Sequence, residues 1–230
     1  MTTVLITGAN RGLGLEFVRQ YAHDGARVFA GARVPGEAKA LLELAAASNG
    51  KITVHSLDVA SDASVAHLKT ELGDQPIDIL INNAGVYGGE HQSAGDVDFA
   101  AWMRTLNVNT LGPVRVFQAF RPNLIGGHDK KAIAITSGMG STARHDGGAL
   151  IYRSSKAALN NVMRGLSLAF KGDDLVVVPM HPGWVKTDMG GAGATLRPES
   201  SIASMRTVIT RLKPSDSGRY INYDGTEIPW

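Results

Sequence analysis

At 230 residues the chain is long enough to bury the core of one large α/β domain without staples. Its net charge of +2, with no long basic run, does not suggest a nucleic-acid surface. The absence of cysteine excludes a disulfide framework, a thiolate metal site and a cysteine nucleophile. The seven histidines form no ligand-spaced set, so a metal site is not indicated. Met1 to Thr7 runs straight into a strand with no secretory pattern, and no apolar stretch approaches a membrane span. With the missing cysteines, these features suit a cytoplasmic protein without a membrane partner.

Along the chain, strand and helix patterns alternate. Val4–Thr7 reads as a buried strand ended by Gly8, and Gly12 to His23 carries an apolar face through Leu13, Phe17, Val18 and Tyr21. A strand at Arg27–Ala30, a helix over 38–47, a strand at Ile52–His55, a helix over 63–71 and a strand at Ile77–Ile81 follow. A long helix is expected from Val97 past Phe117, stopping before Pro122, because proline removes a ladder donor. The second half adds a strand at 132–136, a helix at 149–170, a strand at 175–178, a helix at 199–211 and a short strand at 219–221. Short connections between alternating elements imply right-handed parallel crossovers, hence one doubly wound α/β sheet of about seven strands with helices on both faces. The whole of 1–230 reads as a single domain, with a mobile loop at 188–200 around Gly190, Gly191 and Gly193.

The first strand, turn and helix are ordered to aim backbone N–H groups at a phosphate. The turn is Thr7-Gly8-Ala9-Asn10-Arg11-Gly12-Leu13-Gly14, in which Gly8, Asn10, Arg11, Gly12, Leu13 and Gly14 are the candidate nucleotide contacts. A carboxylate that would bond the ribose of NAD is expected about 20 residues further on. Ala32 stands there instead, followed by Arg33. With Arg11 inside the turn, two guanidinium groups can converge on a ribose 2′-phosphate, which favours NADP(H) over NAD(H). Asp58, with Val59 beside it, is a candidate for the adenine amino group; capping the helix that follows is an equally available role.

Tyr152 and Lys156 stand four apart and share a helix face. An ammonium beside a phenol lowers its pKa and fits it for proton transfer at neutral pH. Ser137 follows the fifth strand, at the carboxyl edge of the sheet where ligands bind in this architecture. Asn109 lies inside the preceding long helix, where a polar residue needs a partner and disturbs the backbone ladder.

Taken with Asn82-Asn83-Ala84-Gly85 and Pro182-Gly183, these motifs resemble the short-chain dehydrogenase/reductase family over essentially the full chain. His181 to Met189 and Tyr223 to Trp230 are similar to its C-factor and carbonyl-reductase-like branch. The resemblance implies a Rossmann fold and an NADP(H)-dependent reductase of aldehydes or ketones, a small-molecule enzyme working as a homo-oligomer, dimer or tetramer. It implies Tyr152 as general acid, Lys156 lowering its pKa and holding the nicotinamide ribose, Ser137 polarising the carbonyl and Asn109 anchoring a relay water. Asn83, Ala84 and Gly85 would pack beside the adenosine ribose. Pro182, Gly183, Val185 and Thr187 would face the nicotinamide. C-factor-like proteins are associated with developmental signalling, so a nucleotide-binding regulator with incidental turnover is implied as well.

Ser137 and Tyr152 are slightly further apart than is familiar in the family, which lengthens the loop 138–148. Ser141 in that loop competes for the serine role, but Ser137 lies nearer the strand end. His145 reads as a surface residue, and Met139, Trp184 and Met189 as apolar residues of a pocket or of the core.

Overall fold

Buried apolar residues alternate sides along each central strand, so every strand has two faces to cover. In β1 (Thr3–Thr7), Val4 and Ile6 join one core layer and Leu5 the other. The computed structural model describes all 230 residues and covers those faces with two sets of helices. After β1 come α1 (Gly12–His23), β2 (Arg27–Ala32), α2 (Lys39–Ala46), β3 (Ile52–Ser56), α3 (Asp62–Leu72) and β4 (Ile79–Asn82). A two-residue hairpin, β5 (Gln92–Ser93) with β6 (Asp96–Val97), leads into α4 (Phe99–Leu106), a π turn at Asn107–Leu111 and α5 (Gly112–Ile125). The chain then forms β7 (Lys131–Ile135), α6 (Leu150–Ala169), β8 (Val176–His181), α7 (Pro198–Arg211) and β9 (Ile221–Asn222).

The main sheet has seven strands in the order β3-β2-β1-β4-β7-β8-β9, all parallel. The order reverses between β1 and β4, and ligands of doubly wound sheets bind at the carboxyl edge beside that switch. Phe17 of α1, Leu41 of α2 and Ile202 of α7 cover one face; Leu68 of α3, Phe117 of α5 and Leu159 of α6 cover the other.

Three expectations change. The helix does not stop before Pro122 but runs to Ile125. Proline removes one ladder donor, while buried Leu124 and the Asn123 amide, which donates to Gly73 O and Gln75 O at 2.8 Å each, hold the last turn. The long helix is also not continuous: its ladder widens into the π turn that holds Asn109. The β5–β6 hairpin carries too short an alternation to read from sequence. Residues 198–200, expected in the mobile loop, form the first turn of α7.

Candidate active site

The glycine turn is shaped by close approach. Gly8 has φ +64°, and a Cβ there would lie 2.8 Å from Ala84 Cα. A Cβ on Gly14 would lie 2.1 Å from Gly8 O and 2.5 Å from Asn83 Nδ2, so only glycine lets α1 enter the turn this tightly. No side chain caps α1 at Arg11, which leaves first-turn N–H groups free to meet an anion.

Asn83 has a structural task beyond the expected packing on a ribose. Its Nδ2 donates to Thr7 O and Gly8 O, each at 3.0 Å. Thr7 Oγ1 in turn accepts from the backbone N–H groups of Asn83 and Ala84, each at 3.0 Å. The ends of β1 and β4 are thereby tied across the switch point, with Ala84 and Gly85 beside the turn.

Ala32 is buried at the end of β2, so no carboxylate stands at that position; Arg33 beyond it is exposed and forms no ion pair. Arg11 does not turn toward Arg33. Its Nη1 lies 3.0 Å from Asp188 Oδ2 of the loop after β8, both side chains being exposed. Asp58 does not cap α3: Ser61 does, accepting from Ser64 N at 3.2 Å. Asp58 Oδ1 instead accepts from Ala60 N at 2.9 Å, next to Val59, whose side chain packs in the core against Gly112.

At the same edge, Ser137, Tyr152, Lys156 and Asn109 come together. Tyr152 and Lys156 lie in the first two turns of α6, both buried. Ser137 follows β7, its Oγ accepting from Met139 N at 3.2 Å, and stands near enough to the Tyr152 phenol to act on its pKa. Lys156 Nζ lies 5.8 Å from the centroid of the Tyr152 ring and donates to Ile135 O at 2.9 Å. A Cβ on Gly85 would lie 3.4 Å from Asn109 Oδ1 and 3.5 Å from Lys156 Nζ, which sets the Asn83–Gly85 turn against both groups.

The electrostatics correct the expected pairing. Burial pushes the Tyr152 phenol up to about 12; the neighbouring Ser137 hydroxyl opposes that and Tyr87, its ring 5.1 Å away, adds to it. Burial acts on Lys156 too and pushes its ammonium down to about 8, and the phenol stays raised beside it. The result is a phenol that keeps its proton at neutral pH, beside an ammonium that is readily discharged in base.

Asn109 is fully buried in the π turn, a backbone form that recurs at functional sites. Its Oδ1 accepts from Val86 N and its Nδ2 donates to Val86 O, both at 2.8 Å, while Nδ2 also reaches Ser155 Oγ at 3.0 Å. The side chain is thus a clamp joining the loop after β4 to α6.

Gln92 is a further residue of this site that the sequence did not disclose. Ala149 before α6 is left-handed, with φ +50°, and has no side-chain acceptor for the helix start. Gln92 Oε1 supplies one, accepting from Tyr152 N at 2.9 Å, and its Nε2 donates to Tyr87 O at 3.1 Å and Gly89 O at 2.6 Å. The buried amide therefore caps α6 from another segment and holds the Tyr87 loop against it. A lone glutamine in a polar loop gives no local sign of this.

Ser141 is excluded from the serine role, since its Oγ donates to Pro229 O at 2.6 Å. Thr142 Oγ1 and Ala143 N donate to Trp230 O, so the final residues pack against the loop after β7. His145 is exposed, as expected of a surface loop. Pro182 O accepts from Ser201 Oγ at 2.6 Å, and Gly183, at φ +81°, leaves no room for a Cβ beside Leu196 and Tyr223. Val185 pairs with Leu196, and Lys186 N donates to Leu196 O at 2.8 Å, closing the base of the loop. Thr187 packs against Gly12, and its Oγ1 accepts from Gly190 N at 3.2 Å. Trp184 and Met189 are exposed at this edge rather than core, whereas Met139 is half-buried.

A glycine turn with free N–H groups and a buried Tyr152–Lys156 pair beside Ser137 thus share one sheet edge. The short chain dehydrogenase family model matches residues 2–195, and the chain belongs to that family. It is 49% identical over 156 residues to the C-signal protein of Myxococcus xanthus, covering 67% of this chain and 93% of that protein. Among solved structures, the carbonyl reductase Sniffer of D. melanogaster is 31% identical with TM-score 0.92, over 100% of both chains. The NADPH-bound carbonyl reductase from chicken fatty liver is also 31% identical with TM-score 0.92, over 100% of this chain and 99% of that one.

Proposed function

We propose that the protein is an NADP(H)-dependent reductase of aldehydes or ketones. The convergence of Ser137, Tyr152 and Lys156 beside the open N-terminus of α1 carries this reading. The residues fit the cofactor: a glycine turn with free N–H groups for the pyrophosphate, and an unpaired Arg33 after a strand end without a carboxylate for the 2′-phosphate. The NADPH-bound avian neighbour supports the same choice. Gly183, Val185 and Thr187 would border the nicotinamide, and Asn83, Ala84 and Gly85 the adenosine ribose. When bound, the cofactor supplies the hydride that reduces the carbonyl carbon.

The chain's own part is orientation and proton supply. Ser137 donates a hydrogen bond to the carbonyl oxygen, and Tyr152 transfers its phenolic proton to the same oxygen as negative charge develops there. A phenol at about 12 stays protonated at neutral pH, which suits reduction; the reverse reaction needs the phenolate and gains from alkali. Lys156, largely charged at neutral pH, holds positive charge beside the developing phenolate. The loop at 188–197 opens to admit substrate: the Arg11–Asp188 pair that fastens it is largely exposed at both ends and weak.

Tyr152→Phe tests the assignment. Turnover falls by at least about a thousandfold while NADPH binding stays within about threefold. Turnover within about tenfold of wild type would remove Tyr152 as the acid. The likeness to the C-signal protein favours a second reading, a regulator that needs nucleotide but not turnover. Retention of a biological effect by Tyr152→Phe would favour it.

A further inference from the structure

Near the catalytic groups lies a cavity of about 270 Å³ whose lining, Gly183 aside, has been given no role above. Arg144 lines it from the loop before α6, His181 from the end of β8, Trp184 from the loop beyond, and Asn222 and Tyr223 from β9 and the turn after it. A Cβ on Gly138 would lie 3.3 Å from His181 Nε2, so the imidazole packs one residue away from Ser137. Gly183 also forms part of the wall. The cavity therefore reaches, through His181, to within one residue of Ser137, and through Gly183 it touches the segment assigned to the nicotinamide.

Its chemistry is polar and unfinished. His181 Nδ1 and Asn222 Oδ1 are buried without any hydrogen-bond partner, a costly arrangement for an apolar occupant. Burial, aided by Arg144, pushes His181 down to about 4, so the ring is neutral and offers one N–H. The Arg144 guanidinium has no carboxylate partner; only its backbone is engaged, its N–H donating to Ser141 O and its carbonyl accepting from Arg153. The acid acting on this region from outside is Asp224, and its Oδ1 already accepts from Thr226 N at 3.0 Å and Thr226 Oγ1 at 2.6 Å. Asn222 Nδ2 reaches Thr226 Oγ1 only at 3.4 Å, so a half-turn of the amide would present N–H donors to the cavity.

We infer that this cavity receives the carboxylate end of the carbonyl substrate, which makes the substrate class oxo acids. Arg144 supplies the charge, and His181 Nδ1–H and the Asn222 amide supply neutral donors. The inference rests on the carbonyl-reductase reading given above.

The experiment compares matched aldehydes in the full chain at saturating NADPH: butanal with succinic semialdehyde, and benzaldehyde with its meta-carboxy derivative. The readout is the ratio of kcat/KM for the charged over the neutral member of each pair. That ratio falls about tenfold or more in Arg144→Ala, mainly through KM, and recovers in part in Arg144→Lys. An unchanged ratio overturns the assignment. Should the wild type reduce no aldehyde at all, the carbonyl-reductase reading fails, and benzoate binding followed through Trp184 fluorescence tests the cavity separately. Quenching in the wild type that is lost in Arg144→Ala supports a carboxylate site. Equal quenching in both, or none in the wild type, overturns it.

Discussion

Replacing Lys156 by Met in the cofactor-free protein is expected to abolish turnover and yet make the fold more stable. The ammonium is fully enclosed, and burial drops its pKa from 10.5 to about 8. At about 1.4 kcal/mol per pH unit, that difference amounts to roughly 3 kcal/mol of destabilisation carried by the charged form. Removing the lysine also forfeits its hydrogen bond to Ile135 O, worth about 1 kcal/mol, so the net gain at neutral pH is about 2 kcal/mol. The pH sign follows from proton counts. Between about 8 and 10.5 the unfolded chain binds the proton that the folded chain has released, so the wild type gains stability from this group as pH rises. The variant lacks that contribution, and its advantage shrinks toward alkaline pH. Urea unfolding of both proteins across this range reads the difference directly. Subtraction removes the opposing titration of Tyr21, Tyr152 and Tyr220, whose phenols burial pushes up. A variant less stable than wild type at neutral pH, with a gap that does not vary with pH, would refute the reasoning.

Three further substitutions test the scaffold around the site. Gly14→Ala forces a methyl against Gly8 O and Asn83 Nδ2, so NADPH affinity measured by titration should weaken at least about tenfold, with a lower Tm. Gln92→Leu removes the acceptor for Tyr152 N and the donor for two loop carbonyls; unfolding should show a loss of about 1–3 kcal/mol, and kinetics a lower kcat with NADPH binding little changed. Arg33→Ser should lower the ratio of kcat/KM for NADPH over NADH by about tenfold or more, because the 2′-phosphate loses its cation.

The alternation of strands and helices and the placing of Tyr152 and Lys156 on one helix face were legible because they follow from local chemistry. Gly12 to His23 carries its own apolar stripe and ends at Asp24-Gly25, and the helix occupies those residues. The Tyr152–Lys156 spacing becomes a shared position on α6 for the same reason. What sequence did not reveal was decided by groups far apart in the chain. Pro122 is tolerated because Asn123 is held by the loop around Gly73 and Gln75. Ser141 is disqualified by Pro229, some ninety residues later by numbering, and Arg11 is taken up by Asp188. The phenol's pKa depended on burial that also lowers the lysine's, a balance that no motif spacing expresses. Gln92 gave no local signal because the bond that matters, to Tyr152 N, joins segments sixty residues apart, while its other two only reach back to Tyr87 O and Gly89 O in its own loop.

The most direct measurement follows the oxidation of NADPH, and of NADH in parallel, by loss of nicotinamide absorbance against aromatic aldehydes, α-diketones, quinones and oxo acids. Carbonyl-dependent oxidation of NADPH, much faster than that of NADH and absent in Tyr152→Phe, is the expected result. Tight binding of NADPH with no oxidation by any carbonyl would contradict the assignment of this site as a carbonyl reductase.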